Sequence, residues 1–393
     1  MNDTLHPALL PSGFRDILPP EAQIEAQIVE RLMAVLGSHG FERVKPPLVE
    51  FETSLLDGPG AAMAQDTFRL MDPISQRMIG VRADMTLQIA RIATTRLTKL
   101  PRPLRLSYAG QVLRVRGTQL RPERQFGQIG AELIGSESAA ADAEMVSLAA
   151  EGLGAVGIFG LSVDLTLPPL VPQILSEMNV DAARAAALRA ALDRKDAAAI
   201  DEIGGPVAGV LGRLMAAAGP AARALELMAQ IALPSAAAAE MAWLAEIVGR
   251  ITAANPDLSL TIDPVENRGF EYHTGVSFTI FARGIRGELG RGGRYLAGGD
   301  AGRDHVPAQR AARPPEPATG FTLYADTVIR AVPQAATALR VYLPHGTPRP
   351  VGQRLRIEGW ITLAGLAPAA APLDEARRLL CSHAWSDGAP VAL

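Results

Sequence analysis

Leu113-Arg-Val-Arg-Gly-Thr-Gln-Leu-Arg-Pro-Glu-Arg-Gln-Phe-Gly-Gln-Ile-Gly-Ala-Glu132 is the run whose reading decides the fold. Leu113, Arg114, Val115 and Arg116 alternate apolar with basic, the pattern of a strand with one cationic face. The pattern breaks at Gly117, passes through a polar loop to Arg124 and resumes over Phe126, Gln128, Gly130 and Glu132. Two neighbouring antiparallel strands joined by a basic loop are therefore predicted. With Arg114 and Arg124 converging, and Gln128 and Glu132 on one face, the hairpin offers cations at one end and acceptors at the other. That arrangement suits a small zwitterion or a phosphate-bearing ligand. Read without a ligand, strand arginines are simply a solvated face.

Four further runs carry chemistry. Arg82-Ala-Asp-Met-Thr86 ends one predicted strand and opens a helix, where Asp84 and Thr86 would commonly act as caps. Arg268-Gly-Phe-Glu-Tyr-His-Thr-Gly275 places an arginine suited to a carboxylate ahead of Tyr272 and His273, ring groups whose polar tips can reach an imidazole. Gly290-Arg-Gly-Gly-Arg-Tyr295 allows close ligand approach, but no Gly-Lys-Ser/Thr follows, so it is not a phosphate loop. Gly320-Phe-Thr-Leu-Tyr-Ala-Asp-Thr327 closes the set.

Around these runs, Ile24, Ile28, Leu32, Val35 and Leu36 predict a helix over 21–37. A strand over 41–51 follows, and Pro46-Pro47 confines it to an edge, a bulge or an interface. A hairpin is expected about residues 72–76, then helices over 87–97 and 136–153 and a strand over 161–167. Residues 181–255 are Ala-rich helical segments punctuated by Gly204-Gly205-Pro206, Gly219-Pro220 and Leu233-Pro234, with Asp181, Asp196 and Ser235 as expected caps. Sheet character returns from Leu258, and residues 298–319 read as a long mobile loop. Beyond Val332, strands over 339–343 and 360–363 and a helix over 374–382 suggest a small α/β module, with 352–359 unassigned. The fold class is α+β: an antiparallel sheet flanked by helices over residues 1–180 and 256–330, a helical insertion over 181–255 and a small C-terminal module over 331–393.

With 393 residues and 48% apolar content, the chain can bury a large core, and its net charge of −3 gives no basic excess to mark a nucleic-acid binder. Cys381 is the single cysteine, which excludes an intramolecular disulfide and a Cys-rich metal site and suits a reducing cytosol. The six histidines lack the spacing of a helical zinc motif. The first residues do not resemble a signal peptide, and no uninterrupted apolar run is long enough to span a bilayer. A cytoplasmic protein is expected, with no metal, no cofactor, no nucleic-acid partner and no membrane association.

The run 113–132 resembles, without a gap, the second signature motif of histidyl-tRNA synthetases, class II enzymes with an antiparallel active-site sheet. Arg114, Arg124, Gln128 and Glu132 match that motif, while Arg116 stands where the family has the Glu that receives the adenine amino group. Arg268–Gly275 is similar to the family's Arg-Gly-Leu-Asp-Tyr-Tyr-Thr-Gly, with His273 in place of the second Tyr. Arg82–Thr86 resembles its Arg-Pro-Glu-Gly-Thr, Gly292–Tyr295 its Gly-Gly-Arg-Tyr, and Gly320–Thr327 its third motif, with Thr327 replacing the Arg that clamps the ATP γ-phosphate. The helix and Pro-bearing strand of 21–51 are similar to its first, dimer-forming motif, although an ordinary edge strand fits the residues equally well. The resemblance covers about residues 11–330, and no clear match to the anticodon-binding domain follows.

An amino-acid site kept beside a degraded ATP site resembles the regulatory subunits of ATP phosphoribosyltransferase, paralogues of those synthetases. That resemblance implies a subunit with no catalytic residues of its own, required for the first step of histidine biosynthesis. It also implies a short-form catalytic partner in a hetero-octamer, a homodimer core and feedback inhibition by histidine. The implied histidine site comprises Asp84 and Thr86 for the ammonium, Glu132 and Tyr272 for the imidazole, and Arg268 or Gln128 for the carboxylate, with Arg114 and His273 beside them. A divergent histidyl-tRNA synthetase and a free-standing histidine-binding paralogue are the competing readings.

Overall fold

The hairpin expected around Gly117 forms, but its first arm lies earlier in the chain than the alternation suggests. In this computed structural model, which describes residues 9–56, 63–118, 121–266, 273–298, 314–333 and 339–393, the arm ends at Leu113. The strands in chain order are β1 (Glu42–Arg43), β2 (Val49–Phe51), β3 (Arg69–Met71), β4 (Met78–Val81), β5 (Leu104–Leu113), β6 (Gln125–Ile134), β7 (Leu161–Thr166), β8 (Gly219–Pro220), β9 (Ser259–Asp263), β10 (Ser277–Ala282), β11 (Gly290–Ala297), β12 (Glu316–Tyr324), β13 (Arg340–Leu343), β14 (Ile361–Ala364), β15 (His383–Ser386) and β16 (Ala389–Ala392). Arg114 and Arg116 therefore lie beyond the strand, and no cationic strand face exists there. The backbones of Arg114 and Arg124 still meet, the Arg114 N–H donating to the Arg124 carbonyl at 2.7 Å.

Residues up to Val332 form one unit and residues from Pro333 a second. The first holds a nine-stranded sheet in the order β1-β5-β6-β12-β11-β10-β7-β9-β8. Its central six strands, β5 to β7, are antiparallel throughout. The sheet separates two apolar layers. Phe126 and Ile134 of β6 join Tyr108, Val112, Tyr295 and Tyr324 on one face, under Met85 and Ile89 from the helix Thr86–Thr95 and its cap. Ile129, Ala131 and Leu133 point to the other face with Phe278, Ile280 and Phe321, against the helices Glu21–Ser38 and Ala139–Ala155. Strand alternation thus leaves Gln128, Gly130 and Glu132 on the first face, the one that carries the polar groups. Truncating a residue such as Leu133, 2% exposed, to Ala would cost about 2–5 kcal/mol.

Pro46-Pro47 divides the predicted strand over 41–51: β1 joins the large sheet and β2 joins β4 and β3 in a separate three-stranded sheet. Between β7 and β9 the chain is helical apart from the two residues of β8. Asp181 and Asp196 cap their helices by accepting from Arg184 N and Ala199 N. Ser235 does not cap: it is the first residue of the helix Ser235–Ala254, and the Glu177 carboxylate accepts its N-terminal Ala236 N–H at 3.1 Å. Most of the loop expected over 298–319 lies outside the described residues, and its end, from Glu316, is strand β12 rather than loop.

The second unit is a four-stranded sheet, β14-β13-β15-β16, with β13 parallel to both neighbours and β15 antiparallel to β16. The stretch left unassigned in the sequence is the helix Arg349–Ile357, and Pro372–Arg378 is the second helix.

Candidate functional site

Glu132 sits at the centre of the first sheet face, 1% exposed. The Tyr108 hydroxyl donates to its Oε1 at 3.1 Å, and the Tyr295 hydroxyl to its Oε2 at 3.0 Å. Tyr108 also lies 2.7 Å from Thr322 Oγ1 and 3.2 Å from Thr86 Oγ1, so one hydroxyl network joins strands β5, β6, β11 and β12 to the start of a helix. Burial pushes the Glu132 carboxyl up to about 8, against the two tyrosine hydrogen bonds, which favour its charged form. Burial also raises the Tyr108 hydroxyl well above its ordinary value, with the nearby Glu132 and Asp84 carboxylates adding to the effect.

Glycine makes room for these groups. Gly130 pairs with Tyr108 across β5 and β6, and a Cβ there would collide with the tyrosine ring. Gly320 pairs with Glu132 on one side and Gly293 on the other. A Cβ on Gly320 would strike the Glu132 carboxylate, and one on Gly293 would strike the His273 ring. Glu132 and His273 therefore lie over adjacent bare backbone, and a small open cleft remains above it. Asp84, Thr86, Glu132, His273, Arg291 and Tyr295 are among its lining residues.

Four of the residues expected at the site, Asp84, Thr86, Glu132 and His273, thus come together. Gln128 lies just behind them and does not line the cleft: its amide nitrogen donates to Asp84 Oδ2 at 2.7 Å and its oxygen accepts the Met85 N–H at 2.9 Å. Asp84 also accepts the Thr86 N–H at 2.8 Å, but neither residue caps the helix as expected: the N-cap position is Met85, no side chain caps it, and Thr86 is the first helical residue, which leaves Asp84 facing the cleft. Arg268 and Tyr272 lie outside the described residues. Tyr108 and Thr322 were not anticipated. Tyr108 lies in the mostly apolar strand β5, and only its pairing with Gly130 reveals its reach.

Arg114 lines a different and larger cavity, with Arg116, Arg121, Glu123, Phe126, Glu288, Arg291 and Thr327. Arg121, 8% exposed, dominates it. Its guanidinium lies 3.6 Å from the Tyr324 ring centroid and 4.9 Å from that of Phe126. It donates to Asp326 Oδ2 at 3.3 Å and to Thr327 Oγ1 at 3.4 Å, and lies 3.7 Å from Glu288. The loop between β5 and β6 thus lays its own cation on the aromatic surface of this cavity. Among the described residues no cluster of His, Cys, Asp and Glu can hold a metal ion, and no helix is long and apolar enough to cross a membrane.

The family model of histidyl-tRNA synthetases matches residues 13–328. An ATP phosphoribosyltransferase regulatory subunit from Rhodospirillum centenum is 59% identical over 381 residues, covering 97% of this chain and 95% of its own length. One of the same name from Paramagnetospirillum magneticum is 55% identical over 383 residues, covering 98% and 97%. A solved ATP phosphoribosyltransferase regulatory subunit/histidyl-tRNA synthetase from Bacillus halodurans shares the fold, with a TM-score of 0.77 over 94% of this chain and 96% of that one at 22% identity. The class II sheet, the polar cleft on one of its faces and near-full-length identity to these relatives agree: the chain belongs to the family of ATP phosphoribosyltransferase regulatory subunits, built on the histidyl-tRNA synthetase fold.

Proposed function

We propose that this chain is a non-catalytic subunit that binds histidine in the cleft over Gly293 and Gly320 and passes that state to a short-form catalytic ATP phosphoribosyltransferase. The observation that carries the reading is the contrast between the two cavities. In the cleft, a buried acid held by two tyrosine hydroxyls offers an acceptor to an imidazole N–H, and Asp84 with Thr86 offers acceptors to an ammonium group. Arg268 and Tyr272 complete the proposed set.

The larger cavity supports the loss of aminoacylation. A planar base stacking on Tyr324 would have to displace Arg121, which is held there by Asp326 and Glu288. Thr327 is buried beside that cation and supplies no charge for a terminal phosphate. Losing one preorganised donor to a developing charge costs on the order of 3 kcal/mol, or about 10²–10³ in rate. The proposed assembly has a homodimer core and catalytic subunits around it, in a cytoplasmic hetero-octamer. Support for a homodimer comes from the three-stranded sheet beside Pro46-Pro47, where Leu48, Val49, Phe51, Leu70, Met71 and Met78 are exposed large apolar residues. Regulation then requires that histidine bind two states of the assembly with different affinity.

The test is reconstitution. Mixing the purified chain with a short-form phosphoribosyltransferase should switch on phosphoribosyl transfer to ATP, and histidine should then inhibit it. A catalytic subunit equally active alone would overturn the activating role.

A further inference from the structure

The cleft strand β11 has a second face. Arg291, Gly293 and Tyr295 border the cleft, while the Arg294 side chain between them turns through the sheet to the helix behind it. Its Nε donates to Asp142 Oδ2 at 3.0 Å and its Nη2 lies 3.0 Å from Asp142 Oδ1. Its remaining N–H groups donate to the carbonyls of Ser136 and Ser138 at 2.8 and 3.1 Å, at the start of the helix Ala139–Ala155. Asp142 Oδ2 also accepts the indole N–H of Trp243 at 3.1 Å, from the helix Ser235–Ala254. The guanidinium lies 5.7 Å from the Trp243 ring. Three elements distant in sequence are thus joined through one carboxylate that is 3% exposed.

The backbone of the same arginine holds the rim of the cleft. Regular pairing of β10 with β11 ends at Ser277 and Gly293. Beyond it, the Arg294 N–H donates to the Val276 carbonyl and the Arg294 carbonyl accepts the Thr274 N–H, both at 2.9 Å. Gly275 rests on the arginine stem, where a Cβ would lie 3.0 Å from Cδ. The segment that carries His273 over the cleft is therefore fastened to Arg294. A displacement of His273 pulls on a residue whose side chain is hydrogen-bonded to Asp142 and to the start of the helix Ala139–Ala155, and through Asp142 the pull reaches Trp243.

We propose that Arg294 is a positioning residue for the cleft, and that the chain Trp243–Asp142–Arg294 carries the occupied state of the cleft to the helix Ser235–Ala254. This rests on histidine binding in the cleft. By linkage, anything that shifts that helix changes histidine affinity by the same factor that histidine applies to it.

The test uses the full chain labelled with 5-fluorotryptophan. It gives three resonances, from Trp243, Trp360 and Trp385, and the Trp243 signal is assigned by its loss in Trp243→Phe. Histidine is titrated by fluorine NMR and by calorimetry in parallel. The Trp243 resonance should shift with the calorimetric midpoint. In Arg294→Lys, which keeps the charge but cannot form the fork, affinity should fall roughly tenfold or more and the shift should vanish. Trp243→Phe keeps an aromatic side chain but removes the indole N–H with its pyrrole ring, so it guards against a misfolded arginine variant; it should weaken binding by about three- to fivefold with the fold retained in thermal unfolding. Saturable histidine binding with an unmoved Trp243 resonance, or wild-type affinity in both variants, would overturn the relay and leave the histidine reading intact. No calorimetric binding to the wild-type chain would overturn the histidine reading and the relay with it.

Discussion

Glu132→Gln should stabilise the empty protein at neutral and alkaline pH while weakening histidine binding. The carboxyl is held near 8 in the fold, against an ordinary 4.5. A carboxyl whose pKa is higher folded than unfolded takes up a proton on folding. Its contribution is therefore fully present below pH 4.5 and is lost progressively as pH rises towards 8. At about 1.4 kcal/mol per pH unit, roughly 3 kcal/mol should disappear between pH 4.5 and pH 7. Gln has the same shape, keeps an acceptor for one tyrosine hydroxyl and does not ionise. Urea unfolding across pH 5–9 should therefore show the variant ahead by no more than about 1 kcal/mol at pH 5, by roughly 3 kcal/mol at pH 7, and by more at pH 8. Histidine binding should be weakened in the same variant, by no more than in Glu132→Ala. Parallel stability curves across the whole range would refute the reasoning, because Glu132 would then be ionised in the fold at no cost.

Other outcomes follow from the same geometry. Glu132→Ala should weaken histidine binding by roughly 2–3 kcal/mol, about 30- to 150-fold by calorimetry, with the fold retained. If Glu132 served only to hold the sheet, stability would fall instead and affinity would stay. Gly320→Ala drives a methyl into the Glu132 carboxylate, so it should cost about 1–3 kcal/mol of stability and reduce histidine affinity together, read by thermal unfolding and calorimetry. Histidine-dependent pyrophosphate exchange should be absent. Restoring Glu at Arg116 and Arg at Thr327 should recover traces at most, because Arg121 still covers Tyr324.

Much of the sheet was legible because successive side chains of a strand point to opposite faces. Phe126, Gln128, Gly130 and Glu132 share a face, as the spacing requires. The arm Leu113–Arg116 misled because charge alternation continues past the point where the backbone leaves β5, and nothing local marks that exit before Gly117. Pairings between distant strands were not legible: the need of Glu132 for Tyr295, and of Tyr108 for Thr322, exists only after β11 and β12 are in register. Arg121 belongs to the same class, since its partners Asp326 and Tyr324 lie far along the chain. The second unit carries a local turn signal in its sequence. Asp387-Gly388, with φ of 50° and 84°, is the left-handed two-residue turn that joins β15 to β16.

The sheet order also bears on how the chain reaches this state. Strands β5 and β6 are consecutive, joined by the eleven residues 114–124, and can pair early, but the other edge of β6 is completed only by β12. Until residues 316–324 have been synthesised and docked, β6 presents open backbone groups and an apolar row, Ile129, Ala131 and Leu133, at a free edge. Contacts of such sequence separation form slowly, and the intervening helical residues must fold without blocking the gap. The nascent chain is therefore most prone to aggregate between completion of the first hairpin and arrival of β12, and the cleft is assembled in the last step that closes that edge.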